Sequence, residues 1–152
     1  RPPPPPSVAA MPPPPGGYGA IVATLSVHHL DTAAKARWVK AAASCLAPGG
    51  ALVVGDVFLE GGNDADTVDA WRARSTAVMR SAWPAASGLP ARECDSLAAH
   101  VAACDMPEPV GAYERMMREA GLERFEVVAR VDPGACGGIV IPCTMVVGRK
   151  KK

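Results

Sequence analysis

The most regular part of the hydrophobic pattern reads strand, helix, strand. Tyr18 to Val27 is a nearly continuous apolar run rich in β-branched residues, as in a strand covered on both faces of a parallel sheet. Apolar residues then recur at helical spacing from Lys35 to Leu46, with Asp31 before them as a candidate helix cap. The turn Pro48-Gly49-Gly50 leads into a second apolar strand, Ala51 to Val57. This order predicts a right-handed crossover between two parallel strands.

The helix between these strands has an apolar and a polar face. The apolar positions are expected to face the sheet: Trp38, Ala42, Cys45 and Leu46. The basic positions are expected to stay in water: Lys35, Arg37 and Lys40.

The pattern from Leu59 to Met106 is helical and more polar. Its first apolar stripe consists of Trp71, Val78, Met79 and Ala82. Its second consists of Cys94, Leu97, Val101 and Cys104. We therefore expect two helices, separated by a loop from Pro84 to Pro90, that form a lid over about residues 60–106.

The C-terminal pattern predicts one more helix and two strands. The helix starts at Pro109, ends at Gly121 and has Tyr113, Met116, Met117 and Ala120 on its apolar face. Phe125 to Val131 is a predicted strand. The last apolar segment, Gly138 to Val147, is predicted to be a broken or bulged strand, because Pro142 lacks the amide that a central sheet ladder requires.

Several polar side chains follow the two parallel strands. Ser26, His28 and His29 come after the first strand, and Asp56 ends the second. Ligands of parallel sheets bind beyond the carboxyl ends of the strands, so these four residues are expected at one rim.

The N-terminal segment differs from the rest in composition. Arg1 to Gly17 holds nine of the 16 prolines, which favours an extended polyproline tract over helix or sheet. It is either a ligand for proline-binding modules or, as we favour, a low-complexity leader. The simplest division of the chain is this leader, 1–17, and one domain, 18–150.

Charge and cysteine content narrow the functional classes. A net charge of +1 gives no field that would attract nucleic acid or an acidic membrane, and the short basic ending, Arg149 to Lys152, is interpreted as a solvated terminus. Five irregularly placed cysteines do not suggest a disulfide framework, which favours a reducing, cytoplasmic location. No apolar run has the length of a membrane-spanning helix.

The segments Tyr18 to Leu30, Lys35 to Leu46 and Ala47 to Phe58 resemble the back half of a class I S-adenosylmethionine-dependent methyltransferase. The Glu119-Ala120-Gly121-Leu122 turn extends the likeness towards Lys150. The resemblance implies an α/β fold: a partial Rossmann-like, doubly wound sheet with an antiparallel last pair of strands and a helical lid insertion. The family's glycine-rich cofactor loop is missing, since no G-x-G-x-G pattern occurs in the sequence.

The resemblance implies S-adenosylmethionine as cofactor, near Thr24, Leu25 and Ser26. His28 or His29 is then a candidate general base, and the alternative is that one histidine packs under the lid. Asp56 either accepts a hydrogen bond from the substrate or caps the turn after its strand.

Other candidate residues have weaker patterns. Trp71 and Tyr113 can wall an acceptor pocket, but such helical stripes are more often core. Cys94, His100 and Cys104 lie near one another in sequence without zinc-site spacing, so no metal is expected there.

Our leading hypothesis is methyl transfer to a small-molecule acceptor by a fragment of a larger enzyme. The alternative is a non-catalytic remnant that acts as an interaction module and associates through an exposed sheet edge. A nicotinamide dehydrogenase half is less favoured, because its nucleotide motif is equally absent.

Overall fold

The structure is a computed structural model that describes residues 12–59, 67–131 and 143–152. Its strands are β1 (Tyr18–Thr24), β2 (Leu46–Leu59), β3 (Glu108–Pro109), β4 (Leu122–Val131) and β5 (Cys143–Lys150). Its helices are α1 (Thr32–Cys45), α2 (Val68–Ser81), α3 (Trp83–Ser87), α4 (Ala91–Cys104) and α5 (Val110–Glu119). A short 3-10 turn, Val27–His29, follows β1. None of the helices in these ranges is both long and apolar enough to cross a membrane.

The sheet has the strand order β1-β2-β5-β4, and β3 pairs with the end of β2. β1 and β2 are parallel, which confirms the predicted crossover through α1. β5 lies antiparallel to both β2 and β4, which confirms the predicted antiparallel last pair. Since β5 begins at Cys143, the expected strand start at Gly138 and the break at Pro142 lie outside the described residues.

Helices α1 and α5 cover one face of the sheet and form the main core with it. The side chain of Asp31 caps α1 as predicted, accepting a hydrogen bond from Ala34 N at 2.7 Å. Tyr113 and Phe58 meet edge to face in this core, with ring centroids 5.0 Å apart. The other fully or nearly fully buried members include Val39, Leu52, Val54, Met117, Leu122 and Val146.

The opposite face of the sheet is covered only in part within the described residues: Val57 and Leu59 of β2 are buried against α2 to α4, whereas Val22 of β1 is exposed. We expected the first strand to be covered on both faces, and this is wrong here: the Val22 side chain is 62% exposed. Val22 pairs with Val53, so an apolar row crosses the two parallel strands on this face. Helices α1 and α5 lie on the other side, and α2 to α4 reach this face only at the end of β2, which leaves Val22 uncovered.

The junction between α1 and β2 requires glycine. β2 begins at Leu46, ahead of the expected Ala51, and its register against β1 shifts between Tyr18 and Ala20. Gly49 has φ +75°, in the left-handed region. A Cβ on Gly50 would lie 2.8 Å from the Tyr18 carbonyl oxygen, so a side chain at that position would force the strands apart.

Helices α2, α3 and α4 share a second core with the end of β2. Trp71, Met79 and Cys94 are buried in it, as is Trp83. The expected loop from Pro84 to Pro90 is wrong in its first part, because α3 occupies Trp83–Ser87. The predicted position of Leu97 in the apolar stripe is wrong, because Leu97 is exposed and Ala98 is buried instead. Of the predicted leader, residues 1–11 lie outside the described range; within the remainder Gly17 N donates to Pro14 O at 2.8 Å.

Candidate active site

The carboxyl end of β1 presents three exposed side chains: Thr24, Leu25 and Ser26. Leu25 has φ +46°, a left-handed conformation that costs a leucine about 1–2 kcal/mol, and its side chain is 58% exposed. Its amide donates to Gly55 O at 2.9 Å, which fixes the end of β1 against β2. Such strain persists where the surroundings impose it, and it occurs often at functional sites.

Asp56 has no exposed surface, and its carboxylate connects β2 to the turn after β1. Oδ2 accepts hydrogen bonds from Val27 N at 2.9 Å and from His28 N at 3.0 Å. Oδ1 accepts from Val57 N at 2.8 Å and also contacts Nδ1 of His28. Sequence analysis correctly brought Asp56 to the histidines, but the carboxylate orders the turn and faces no open space.

His28 lies between two carboxylates and is almost fully buried, with its side chain 8% exposed. Because Asp56 is a carboxylate surrounded by donors, Nδ1 of His28 carries the hydrogen and donates it to Asp56. The other ring nitrogen, Nε2, is 3.7 Å from Oδ1 of Asp105.

His29 lies at the mouth of the site, with its side chain 37% exposed. Its ring centroid is 4.0 Å from that of His28 and 5.1 Å from that of His100. Nδ1 of His29 is 3.2 Å from Oδ1 of Asp105. Burial, followed by the charge of His28, lowers the pKa of His29, and Asp105 opposes this shift.

Asp105 is the residue of this site that sequence analysis missed. It follows α4, and its amide closes that helix on Val101 O at 3.2 Å. Arg72 of α2 donates Nε to the Asp105 carbonyl at 2.7 Å, so two lid helices hold the residue. Little in the sequence indicates this role, because an acidic residue after a helix is ordinarily solvated.

Lys35 connects the site to the lid, and its expected solvation is wrong: the side chain is 0% exposed. Its ammonium donates to Leu30 O at 2.5 Å and to Met106 O. Met106 N in turn donates to His28 O at 2.7 Å. Burial lowers the pKa of Lys35, against the opposing charge of Glu108 4.0 Å away.

The remaining candidates lie away from these side chains. Trp71 is buried in the lid core and Tyr113 in the sheet core, where burial raises the pKa of its phenol. Neither lies at the surface of a cleft. Cys94 is fully buried among apolar residues, and Cys94, His100 and Cys104 are not brought together as three metal ligands within the described ranges.

The arrangement can accept a proton at a defined atom. Asp56 fixes the ring orientation and hydrogen position of His28, which leaves Nε2 as the acceptor at the carboxyl end of β1. Asp105 and His29 surround that nitrogen on the lid side. The site therefore combines an oriented imidazole with a rim of exposed residues at 24–26.

Comparison with known proteins identifies similarity in structure only. No family model and no curated protein sequence matches the chain. An O-methyltransferase family protein from Burkholderia thailandensis superposes with a TM-score of 0.53 at 18% identity, over 90% of this chain and 31% of that chain. An O-methyltransferase family 2 protein from Planctomyces limnophilus, in complex with apigenin, gives 0.52 at 17% identity, over 94% and 32%.

Human N-acetylserotonin methyltransferase in complex with S-adenosylmethionine superposes with a TM-score of 0.56 at 13% identity, over 95% of this chain and 32% of that chain. The chain thus spans about a third of the length of the structures that it matches. At these identities the comparison shows the fold, and it confirms the fold expected from the sequence.

Proposed function

We propose that this chain, which has the fold of the C-terminal part of class I S-adenosylmethionine-dependent methyltransferases, carries the acceptor side of a methyl-transfer site within a larger enzyme. The oriented His28–Asp56 pair at the end of β1 carries the proposal. Its support from the comparisons is that the three proteins named above are described as methyltransferases, two of them as O-methyltransferases.

In this proposal, His28 is the general base. Nε2 takes the proton from a hydroxyl of the acceptor as that oxygen forms its bond to the methyl carbon. Asp56 holds the other nitrogen of the ring and so positions His28 without touching the acceptor. A positioned base of this kind contributes about 10²- to 10⁴-fold to the rate.

S-adenosylmethionine supplies the methyl group, carried on a sulfonium whose carbon–sulfur bond breaks during transfer. Thr24, Leu25 and Ser26 are the residues of this chain proposed to lie along the cofactor, since they are exposed at the carboxyl end of β1. These three residues are proposed to line one side of the cofactor. The sequence has no glycine-rich loop to bind the rest, so we propose that other parts of the enzyme complete the cofactor site.

We propose a small molecule as acceptor. The lid lies directly over the proposed base, with Asp105 3.7 Å from Nε2 of His28, which leaves little room for a macromolecular surface. Acidic and basic residues are mixed along the lid, without a basic face for nucleic acid. The apigenin complex of the Planctomyces protein agrees with this substrate class.

The test begins with calorimetric titration of S-adenosylmethionine and S-adenosylhomocysteine into the purified 152-residue chain. Transfer of a labelled methyl group to a panel of small hydroxyl compounds is then measured for the larger enzyme that contains this chain and for its His28→Gln variant. We expect cofactor binding to be unchanged in His28→Gln while turnover falls by about 10²-fold or more.

His100→Gln is the matched control, since His100 is another imidazole beside His29 and has no part in the proposed chemistry. It is expected to keep the parent turnover. Equal turnover of His28→Gln and the parent would rule out His28 as the base. A folded chain that binds neither cofactor agrees with a cofactor site completed by other parts of the enzyme, whereas a larger enzyme that binds neither cofactor would favour the second candidate function below.

That second candidate is an interaction module without catalysis. Two observations favour it: within the described ranges β1 pairs only with β2, and Val22 is exposed on the partly covered face. Light scattering across a dilution series is expected to show self-association that Val22→Lys weakens. A monomer at every concentration would contradict association through this strand.

A further inference from the structure

Three potential ligand atoms converge beneath the lid: Nε2 of His28, Nδ1 of His29 and Oδ1 of Asp105. All three lie within 4.8 Å of one another. Asp105 Oδ1 is 3.2 Å from the His29 nitrogen and 3.7 Å from the His28 nitrogen. The three residues come from two segments of the chain, the turn after β1 and the end of α4.

Asp105 Oδ1 is a buried oxygen that has no hydrogen-bond donor within the described ranges. The Asp105 side chain is only 5% exposed, so water does not replace the missing donor easily. A buried carboxylate oxygen without a partner is unfavourable, because it loses its hydration and gains nothing in return. This oxygen faces the two imidazole nitrogens, so a cation between the three atoms would satisfy it.

His28 and Asp105 are both held in positions that suit a cation between them. His28 donates Nδ1–H to Asp56, which holds the ring with Nε2 3.7 Å from Oδ1 of Asp105. A carboxylate behind a ligating histidine is the usual outer partner of metal-bound imidazoles. On the lid side Arg72 holds the Asp105 carbonyl at 2.7 Å.

We propose that His28, His29 and Asp105 form a binding site for a divalent transition-metal ion, with zinc as the best match. Two imidazole nitrogens and one carboxylate oxygen suit Zn²⁺ or Co²⁺, whereas Mg²⁺ and Ca²⁺ prefer oxygen ligands throughout. Bonds of about 2.1 Å in a tetrahedral site put the ligand atoms about 3.4 Å apart. The two separations from Asp105 Oδ1, 3.2 and 3.7 Å, are already close to this, and the two imidazole nitrogens lie within 4.8 Å of each other.

The site goes beyond the proposed methyl transfer and has a consequence for it. The metal would occupy the same nitrogen of His28 that accepts the proton, so the filled site and the base exclude each other. With three protein ligands, a fourth position remains for water or another small ligand. Metal binding can be measured without methyl transfer, so failure of one proposal leaves the other open to its own test.

The probe is Co²⁺ added to the untagged 152-residue chain, with visible absorption to report coordination and Zn²⁺ as competitor. We expect one Co²⁺ per chain, with visible bands but no sulfur-to-cobalt charge-transfer band, and displacement by Zn²⁺. Asp105→Asn, which preserves shape and removes the charge, is expected to weaken binding at least tenfold. His29→Gln provides a second, partly exposed ligand change and is expected to weaken binding as well.

Two controls separate this site from other ligands nearby. His100→Ala removes the neighbouring imidazole, and Cys104→Ser removes the adjacent thiol; both are expected to bind within twofold of the parent. The proposal is overturned if the folded chain takes up no stoichiometric Co²⁺, if a thiolate band appears and is lost in Cys104→Ser, or if Asp105→Asn and His29→Gln both bind like the parent.

Discussion

The substitution Asp56→Asn removes one charge from a fully buried carboxylate that accepts four hydrogen bonds. Each oxygen has two partners, with Val27 N and His28 N on Oδ2, and Val57 N and His28 Nδ1 on Oδ1. Asparagine keeps one oxygen and replaces the other with an NH₂ group. In either orientation two N–H donors then face a donor.

A buried donor left without an acceptor costs about 1–3 kcal/mol, so the two together should lower the free energy of unfolding by about 2–6 kcal/mol. That is a large share of the roughly 5–15 kcal/mol that stabilises a typical domain. Urea unfolding followed by the fluorescence of the three tryptophans measures the change. A variant that is unfolded without urea would agree with the upper end of this range.

Asp69→Asn is the matched control, because this aspartate is exposed and lies 3.7 Å from Arg72 as a surface ion pair. Its loss should be about 0.5 kcal/mol or less. The reasoning is refuted if Asp56→Asn loses less than about 1 kcal/mol, or no more than Asp69→Asn. Either result would mean that the carboxylate does not order the turn that carries His28.

Three further substitutions test other parts of the fold. Burial lowers the folded-state pKa of Lys35, so the unfolded chain binds more protons between that pKa and the ordinary lysine pKa of about 10.4. The free energy of unfolding should therefore rise with pH in this window, which urea titrations at several pH values would measure. Lys35→Gln should abolish the rise, and the exposed control Lys40→Gln should keep it. Leu25→Gly removes a leucine from the left-handed conformation, so the free energy of unfolding should stay the same or rise by up to about 1 kcal/mol. The control Leu97→Gly, within α4, should lower it by about 1 kcal/mol. Equal losses in a thermal unfolding experiment would contradict the strain at Leu25. Gly148→Ala puts a Cβ 2.7 Å from Met117 Sδ and should lower the free energy of unfolding by about 1–3 kcal/mol. The control Gly111→Ala, in α5 with space around it, should raise the free energy of unfolding by about 0.5–1 kcal/mol. A Gly148→Ala chain as stable as the parent would show that the core adjusts freely there.

The hydrophobic pattern predicted those elements whose partners lie next to them in the sequence. β1, α1 and β2 follow one another, and the cap at Asp31 is local, so spacing alone was enough to locate them. The exposed face at Val22 was not predicted, because an apolar run indicates a capacity for burial and does not identify the layer that provides it.

The candidate site was also predicted only in part, because some of its residues meet through a general rule of sheet topology and others through distant contacts. His28, His29 and Asp56 are near one another because parallel strands bring their ends to one rim, which is a general rule of topology. Asp105 is 77 positions after His28, and it arrives there only because α4 ends where it does. Lys35 reads as a solvent-facing position in α1, and its burial depends on the distant carbonyl of Met106. No local spacing encodes either contact.

The hydrogen bond from Met106 N to His28 O determines where this lid can be exchanged for that of another protein. A chimera in which the lid of another protein extends through residue 106 would have a foreign residue at position 105 and would lose the carboxylate beside the two histidines. A chimera joined after Cys104 would keep Asp105 and Met106 with the host sheet and change only the helices above them. Because Arg72 of α2 donates to the Asp105 carbonyl, a replacement lid would also have to supply a donor at that position to keep Asp105 in place.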